Sequence, residues 1–315
     1  MAQLLLASEP LLFAGVEVLG MQIGNEDFQF LSGLVEAARQ PFPPDWRPWF
    51  LRGFDQILGL LPPERAVALA LTMPKNMPLL ETAGGFVWHA ESFTAAERSR
   101  VLQTIAQDLS QRGQLRGWRN ETFACWGWLE NDWPYTATEL FRVERAAFRY
   151  FGLRSHAAHV HGMSPGGRMW CGRRSFNKAT DPGLLDNLAA GGLSAGENPE
   201  QCAVREIFEE AGLVRSLTDF CQRPLEVLTE RAVMEGWHSE RLFVYTLKVM
   251  DCEQPINRDG EVIDFRCLSF TEVLGCLRAG KFTPDAAIAI AASVLQSDLG
   301  TAHKFFQVSS DAIFA

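Results

Sequence analysis

Three glutamates lie within a single turn of a predicted helix in the C-terminal half of the chain. Glu206, Glu209 and Glu210 are spaced i, i+3 and i+4, so in a helix their carboxylates share one side. Like charges this close destabilise a helix unless a cation neutralises them, and carboxylate oxygens suit Mg²⁺ or Mn²⁺. The spacing therefore predicts a divalent metal site. A solvated charged helix is the alternative that the triad alone leaves open.

The flanking residues define the helix that carries these glutamates. Asn198 is a suitable N-cap, Pro199 fits the first helical position, and Gly212 can end the helix in the left-handed region. These signals predict a helix over 199–211. The apolar residues of the opposite face indicate packing against a sheet: Ala203, Ile207 and Ala211. Arg205 stands beside the glutamates and is predicted to hold their side chains in place.

The complete pattern resembles the Nudix box. Its fixed positions begin with Gly191, and Glu197 follows after five intervening residues. Seven residues later comes Arg205-Glu206-Ile207, and then Glu209-Glu210 and Gly212-Leu213 each follow after one intervening residue. The resemblance implies an α+β chain that contains the Nudix α/β/α sandwich with a mixed sheet. It also implies a loop-helix-loop that holds Mg²⁺ or Mn²⁺. The implied reaction is hydrolysis of a nucleoside or other diphosphate linked to a further group.

The resemblance also assigns roles to residues. The implied metal set is Glu206, Glu209, Glu210 and Gly191, with Glu197 and Arg205 in supporting positions. The predicted catalytic set is Glu206, Arg205 and Glu261. Glu261 is predicted to be a further metal ligand or a general base. The alternative is that Glu261 only flanks a turn and has no role in the site. Because a diphosphate site needs cations beyond the metal, phosphate contacts are predicted for Arg173, Arg174 and Lys178. A solvated strand end is the alternative for these three.

A wider set of short motifs resembles the Nudix proteins related to thiamine pyrophosphokinase. The quoted motifs are 170–175, Lys178, 182–183, 185–187, 190–192, 159–162 and 259–262, together with Gly117-Trp118-Arg119-Asn120-Glu121 and Val143-Glu144-Arg145-Ala146-Ala147 in the first half. In that group a poorly characterised α+β domain precedes the Nudix domain. The likeness implies thiamine diphosphate, or a damaged oxo or oxy analogue, as the substrate. Its cleavage to the monophosphate and phosphate would be a metabolite repair reaction.

Three other functions share the predicted fold. A hydrolase of nucleoside diphosphate derivatives is one alternative. An isopentenyl diphosphate isomerase is disfavoured because Ala190 stands where such enzymes need a cysteine. A non-catalytic Nudix sensor of a metabolite is the third, and such proteins usually lose box glutamates that this chain keeps.

Length and composition set the wider expectations. The 315 residues predict two domains, an N-terminal α+β domain of uncertain role over 1–150 and the Nudix domain over 151–315. The net charge of −9 disfavours nucleic acid as a partner, and the longest apolar runs are too short for a membrane span. The first twenty residues lack the basic start of a signal peptide. Seven cysteines without a C-x-x-C pair favour reduced thiols in the cytoplasm. The sequence leaves both a monomer and a homodimer open.

Patterns along the chain predict the elements that position the site. In the first half, helices are predicted over 27–39, 62–71, 139–150 and from Ser92 or Thr94 to about Gly113, and strands over 55–61, 85–89 and 121–128. The segment after Pro41, rich in proline and tryptophan, is predicted to be a loop. In the second half, strands are predicted over 155–163, 168–173, 224–233, 241–250 and 261–268, followed by helices over 271–278 and 284–296. Trp237 and His238 are expected in a loop, stacked on an aromatic substrate.

Overall fold

The computed structural model describes residues 16–18, 21–128, 138–178, 180–220 and 222–299. The first fifteen residues, where no signal peptide is expected, and Cys221 lie outside these ranges. The helices in chain order are α1 (Asn25–Glu36), α2 (Pro63–Thr72), α3 (Ala95–Gln111), α4 (Arg145–Phe151), α5 (Pro199–Ala211), α6 (Phe270–Arg278) and α7 (Pro284–Leu299).

The strands of these residues fall into two main groups. The first half contains β1 (Val16–Val18), β2 (Met21–Ile23), β3 (Arg47–Leu51), β4 (Ile57–Leu61), β5 (Leu79–Thr82), β6 (Gly85–Trp88), β7 (Thr122–Cys125) and β8 (Phe141–Glu144). The second half contains β9 (Arg154–Met163), β10 (Met169–Arg174), β11 (Leu185–Asp186), β12 (Ala189–Gly192), β13 (Leu225–Val233), β14 (Gly236–Lys248) and β15 (Val262–Leu268).

A mixed sheet in the second half is organised around β9. Its strand order is β11-β10-β9-β14-β13, with β12 paired to β9 and β15 paired to β10. The pairing of β9 with β14 is parallel, whereas β10 and β12 run antiparallel to β9. Both kinds of pairing therefore meet on one central strand, and the predicted mixed sheet is confirmed.

Helices cover both faces of this sheet because successive strand residues point to opposite sides. Ala158 of β9 and Phe243 of β14 belong to the core beneath α5. Their neighbours Ala157 and Leu242 lie in a core with Ile288 of α7 on the other face. The predicted α/β/α sandwich within an α+β chain is thus confirmed.

The first half builds its own core around a four-stranded sheet with the order β4-β3-β6-β5, and β7 and β8 form a separate hairpin. Its central side chain is Trp49, which is fully buried and donates from Nε1 to the Phe151 carbonyl over 2.9 Å.

The two halves are also joined directly. Leu60 N–H donates to the Gly152 carbonyl over 3.2 Å. A Cβ at Gly152, whose φ is +65°, would overlap the Leu60 backbone. Leu31 of α1 packs with residues of α7. The domain boundary at residue 150 stays a prediction.

Three local predictions are wrong. Residues 139–150 are not one helix: β8 comes first because Phe141 and Val143 alternate inward and pair with Cys125 and Phe123 of β7. The segment predicted as a loop after Pro41 contains β3, in which alternate side chains are buried. Trp237 and His238 belong to β14 and are 0% and 1% exposed, so they do not line an open loop. In each case a tertiary partner decides the local structure.

None of the helices in the described ranges combines the length and the apolar character that crossing a membrane requires.

Candidate metal centre

Helix α5 carries the box glutamates, and both of its ends are fixed by local interactions. The Asn198 side chain accepts from Gln201 N–H over 2.8 Å, and the Gln201 side chain accepts from Asn198 N–H over 2.9 Å, which forms a reciprocal capping box. Gly212 ends the helix with φ +66°. The helix predicted over 199–211 is confirmed residue for residue.

The three glutamates occupy two different environments. Glu206 and Glu210 are only 8% and 7% exposed, because they turn toward the sheet, whereas the Glu209 side chain is 46% exposed at the rim. A solvated charged surface is therefore excluded as the explanation of the first two. Burial of two carboxylates one turn apart is costly unless cations or donors compensate.

Arg205 is the main compensating cation. Its guanidinium binds Glu197 through two nitrogens, at 2.6 and 2.8 Å, and donates from Nη1 to Glu206 Oε1 over 2.5 Å and to Glu209 Oε2 over 3.2 Å. Nη2 also donates to the Gly192 carbonyl over 3.0 Å. This fork of donors holds the acids in fixed conformations, in the supporting position that the sequence predicts.

Gly191 allows the backbone of β12 to approach the helix. A Cβ at this position would overlap Glu206 Oε1. The backbone atoms of Gly191 therefore lie against a carboxylate of the predicted metal set, which only glycine permits. The preceding residue of the same strand is Ala190, whose N–H donates to Glu210 Oε2 over 2.9 Å.

The structure brings Asp259, which the sequence did not predict as a site residue, close to Glu210 and Glu261. Carboxylate oxygens of Glu210, Asp259 and Glu261 all lie within 4.8 Å of one another. Asp259 also accepts from Glu261 N–H over 2.8 Å, which shapes the turn before β15. Its motif, Asp259-Gly260-Glu261, was the available signal. Glu206 and Glu209 both accept hydrogen bonds from Arg205 instead. The acids therefore form two groups, one around Arg205 and one made of Glu210 and the two acids near it.

The three predicted phosphate-binding cations have separate partners. Lys178 contacts Glu261 at the edge of the acidic group. Arg174 donates to Asp186 over 3.1 Å and to the Thr180 carbonyl over 2.9 Å. Arg173, on the other side of β10, lies 3.8 Å from Asp264. Of the three, Lys178 is in direct contact with a residue of the predicted site.

Burial and mutual repulsion raise the proton affinity of the acids. Burial raises the pKa of Glu206 to about 7; Arg205 opposes this rise, and the charges of Glu209 and Glu121 add to it. Burial, Glu206 and Asp186 raise the pKa of Glu210 well above its ordinary value. The pKa of Glu261 is lowered, because the Lys178 contact outweighs the effect of burial.

The donor set fits a hard divalent cation. All side-chain donors are carboxylates, which suit Mg²⁺ or Mn²⁺ rather than softer metals. Two of these carboxylates are buried, and burial favours a bound proton on each of them by raising its pKa. A bound cation would replace that proton, so the arrangement is one that metal binding stabilises.

Comparison with known proteins gives the relatives of this chain. Residues 153–290 match the family model described as the NUDIX domain, and residues 79–155 match a model described as a domain of unknown function, DUF4743. Two Arabidopsis thaliana proteins are similar: Nudix hydrolase 24, chloroplastic, is 33% identical over 204 residues, and Nudix hydrolase 20, chloroplastic, is 31% identical over 189 residues.

These similarities are partial. The aligned residues are 60% and 59% of this chain but 51% and 49% of the two plant proteins, so the chain spans about half the length of the relatives it matches. Among solved structures, DR0079 from Deinococcus radiodurans is 23% identical, and the match covers 44% of this chain and 82% of that protein with a TM-score of 0.35.

The raised pKa of Glu206 predicts a pH-dependent stability. Without metal, the folded protein binds a proton between the unfolded pKa of 4.5 and about 7, so the free energy of unfolding should fall as pH rises through this window. The contribution is on the order of 3 kcal/mol. Urea denaturation in the presence of EDTA measures the fall, and saturating Mg²⁺ should offset it.

Glu206→Gln is the control for this prediction. The variant should show a shallower pH dependence in the same window, because its amide cannot titrate. Parallel profiles for the variant and the wild type would contradict the assignment of the raised pKa to Glu206.

Proposed function

From the premise that residues 153–290 form a Nudix domain, we propose that the protein uses a divalent metal to hydrolyse a phosphoanhydride bond in a small diphosphate. The observation that carries this proposal is the pair of buried carboxylates, Glu206 and Glu210, placed against the backbone of Gly191 and Ala190. Buried acids of this kind have no role in packing an apolar core, whereas they suit a metal that must meet a phosphate.

We assign the metal to Glu206, Glu209, Glu210 and the backbone of Gly191, with Mg²⁺ as the preferred ion and Mn²⁺ as a substitute. When bound, the metal neutralises phosphoryl oxygens and lowers the pKa of a water. Arg205 keeps Glu206 and Glu209 oriented through the contacts described above. In the reaction, the water loses a proton to a base as its oxygen forms a bond to the terminal phosphorus. The bridging P–O bond breaks, and its electron pair stays on the bridging oxygen of the monophosphate that leaves.

The cations beside the acids support binding of an anionic substrate. Lys178 is the first candidate for phosphate contact, because it already lies at the acidic group through Glu261. Arg174 and Arg173 are kept as further candidates, with Asp186 and Asp264 as the partners that phosphate would have to displace. A lysine or arginine at this place offsets the charge that develops on the phosphoryl oxygens.

Glu261 is proposed to complete the site together with Asp259. Its proximity to Glu210 supports a role as a further metal ligand, and its lowered pKa keeps it ionised at neutral pH. The same position also suits the alternative role of general base.

For the substrate, we propose thiamine diphosphate or an oxo or oxy analogue of it. This choice is supported by the motifs that resemble thiamine pyrophosphokinase-related Nudix proteins, which extend into the first half of the chain. The products would be the monophosphate and inorganic phosphate. The predicted cytoplasmic location belongs to the same proposal, although the two plant relatives are named chloroplastic.

Replacing a buried glutamate should abolish most of the activity. We expect Glu210→Gln and Glu206→Gln each to lower kcat at least about a hundredfold, because each removes a metal or base contribution. Phosphate release at saturating Mg²⁺ measures this loss, and circular dichroism reports whether the fold survives.

Glu200→Gln is the matched control for these variants. Glu200 lies in the first turn of the same helix, about 15 Å along the axis from Glu210, and should retain wild-type turnover. Wild-type rates in both site variants would overturn the site assignment.

A separate variant tests the role of Glu261. If it is a metal ligand, Glu261→Gln should raise the Mg²⁺ concentration for half-maximal activity at least about tenfold. Asp251→Asn, an exposed acid in the turn after β14, is the control and should leave the Mg²⁺ requirement unchanged. A lower kcat with an unchanged Mg²⁺ requirement would instead assign Glu261 as the general base.

A substrate panel tests the proposed specificity. We expect kcat/KM for thiamine diphosphate, or for its oxo or oxy analogue, to exceed that for every nucleoside diphosphate derivative tested. Phosphorus NMR should identify the monophosphate and phosphate as products. A preference for a nucleotide would support the nucleoside diphosphate alternative, and tight binding without turnover would support a sensor.

A further inference from the structure

The first half of the chain reaches the metal centre through β7. Thr122 carbonyl accepts from Ala195 N–H over 2.8 Å, in the loop that leads into α5. The preceding residue, Glu121, accepts through Oε1 from the Ser194 hydroxyl over 2.7 Å. A Cβ at Gly192 would overlap the Phe123 ring, so β7 also packs closely against β12.

Arg145 is held at this junction. Its Nη1 donates to Glu121 Oε2 over 2.7 Å, and its backbone N–H donates to the Glu121 carbonyl over 2.9 Å. The guanidinium carbon lies 5.5 Å from the centroid of the Phe123 ring. The Arg145 side chain nevertheless keeps 43% of its surface exposed, so a ligand can reach it.

A continuous series of contacts connects Arg145 to helix α5. Glu121 bridges Arg145 to Ser194, and Ser194 N–H donates to Glu197 Oε2 over 3.0 Å. Glu197 in turn binds Arg205, which holds Glu206. Arg145 therefore stands at the outer end of the same charged network that fixes the predicted metal ligands.

The charges of the site agree with this position. Burial lowers the pKa of the Arg145 guanidinium, but Glu121 and the nearby charges of Glu240 and Glu206 raise it by more, so the net shift is upward. The charges of Arg119 and Arg145 also help Lys178 to lower the pKa of Glu261. Arg145 thus acts on acids from both groups.

Arg119 extends the basic side of this junction. Its backbone N–H donates to the buried Glu144 over 2.9 Å, which anchors the turn before β7, while its side chain is exposed. Both arginines belong to the two first-half motifs singled out in the sequence, residues 117–121 and 143–147, to which the proposed hydrolysis assigns no role.

We propose that Arg145, assisted by Arg119, binds the phosphate chain of the substrate, so that one active site is built from both halves of the protein. The proposal rests on the proposed diphosphate hydrolysis and adds a binding role for the first half. An arginine has five N–H donors, and the bond to Glu121 uses one nitrogen, so donors remain for phosphate oxygens. Acids crowd this site, and a basic group near them reduces the repulsion of an incoming anion.

Arg145→Gln tests the proposal by equilibrium binding. The probe is imidodiphosphate, a diphosphate that resists hydrolysis, titrated calorimetrically into the 315-residue protein with saturating Mg²⁺. We expect its Kd to rise at least about tenfold, because a charge-assisted hydrogen bond is lost. The KM for the best substrate should rise in parallel, Arg145→Lys should recover part of the loss, and Arg119→Gln should give a smaller effect.

Arg142→Gln is the matched control. Arg142 lies on β8, three residues before Arg145, and pairs with Glu139 over 2.7 Å. The variant makes the same chemical change and breaks the same kind of ion pair, and we expect wild-type Kd and KM. An equal loss in this variant would mean that net charge, and not contact with phosphate, explains the effect.

Glu121→Gln separates phosphate binding from mere support of the loop. The amide oxygen can still accept from Ser194, while Arg145 loses its carboxylate partner. If Arg145 binds phosphate, this variant should bind imidodiphosphate at least as tightly as the wild type. If Arg145 only positions Glu121, the variant should weaken binding as much as Arg145→Gln does, and the proposal would be wrong.

Failure of the inference about Arg145 can be distinguished from failure of the hydrolase proposal. A wild-type protein that hydrolyses a diphosphate, together with an Arg145→Gln variant of unchanged Kd and KM, overturns only the inference about Arg145. A wild-type protein that hydrolyses none of the substrates, but whose imidodiphosphate binding depends on Arg145, overturns only the hydrolase proposal.

Discussion

The structure of the candidate site depends on keeping two like-charged carboxylates buried within one helical turn. Glu206 and Glu210 repel each other in a poorly solvated place, and their raised pKa values express that cost. Arg205 offsets part of it from one side, and Ala190 N–H from the other. What remains is a deficit of positive charge, which a divalent ion and the cations around it are suited to fill.

The scaffold makes this arrangement rigid. Helix α5 is capped at both ends and packs through its apolar face on β9 and β14, so the glutamates cannot turn away without breaking that packing. The close approach of Gly191 then fixes the distance between strand and helix. Donors and acids held by regular elements need little reorganisation when a ligand binds, which is the condition for electrostatic catalysis.

The two halves of the chain are less separate than their order in sequence implies. The β7–β8 hairpin contacts the loop before α5, and Gly152 packs against Leu60 at the junction. In the other direction, α1 from the first half packs on α7. A boundary drawn at residue 150 therefore divides the chain by sequence, while contacts around the candidate metal centre cross it.

Much of the site follows from the sequence alone because helix signals are local. The signals for the helix over 199–211, for its caps and for the face that three glutamates share all join residues fewer than five positions apart. The mixed sheet was predicted from the family resemblance. Other features needed the folded chain. Residues 141–144 are a strand because β7 pairs with them, and Asp259 joins Glu210 only through the return of β15 to the sheet. Likewise, Arg145 reaches the box through Glu121 and Ser194. Such contacts join positions tens of residues apart, and no periodicity within one sequence records which distant residues will meet.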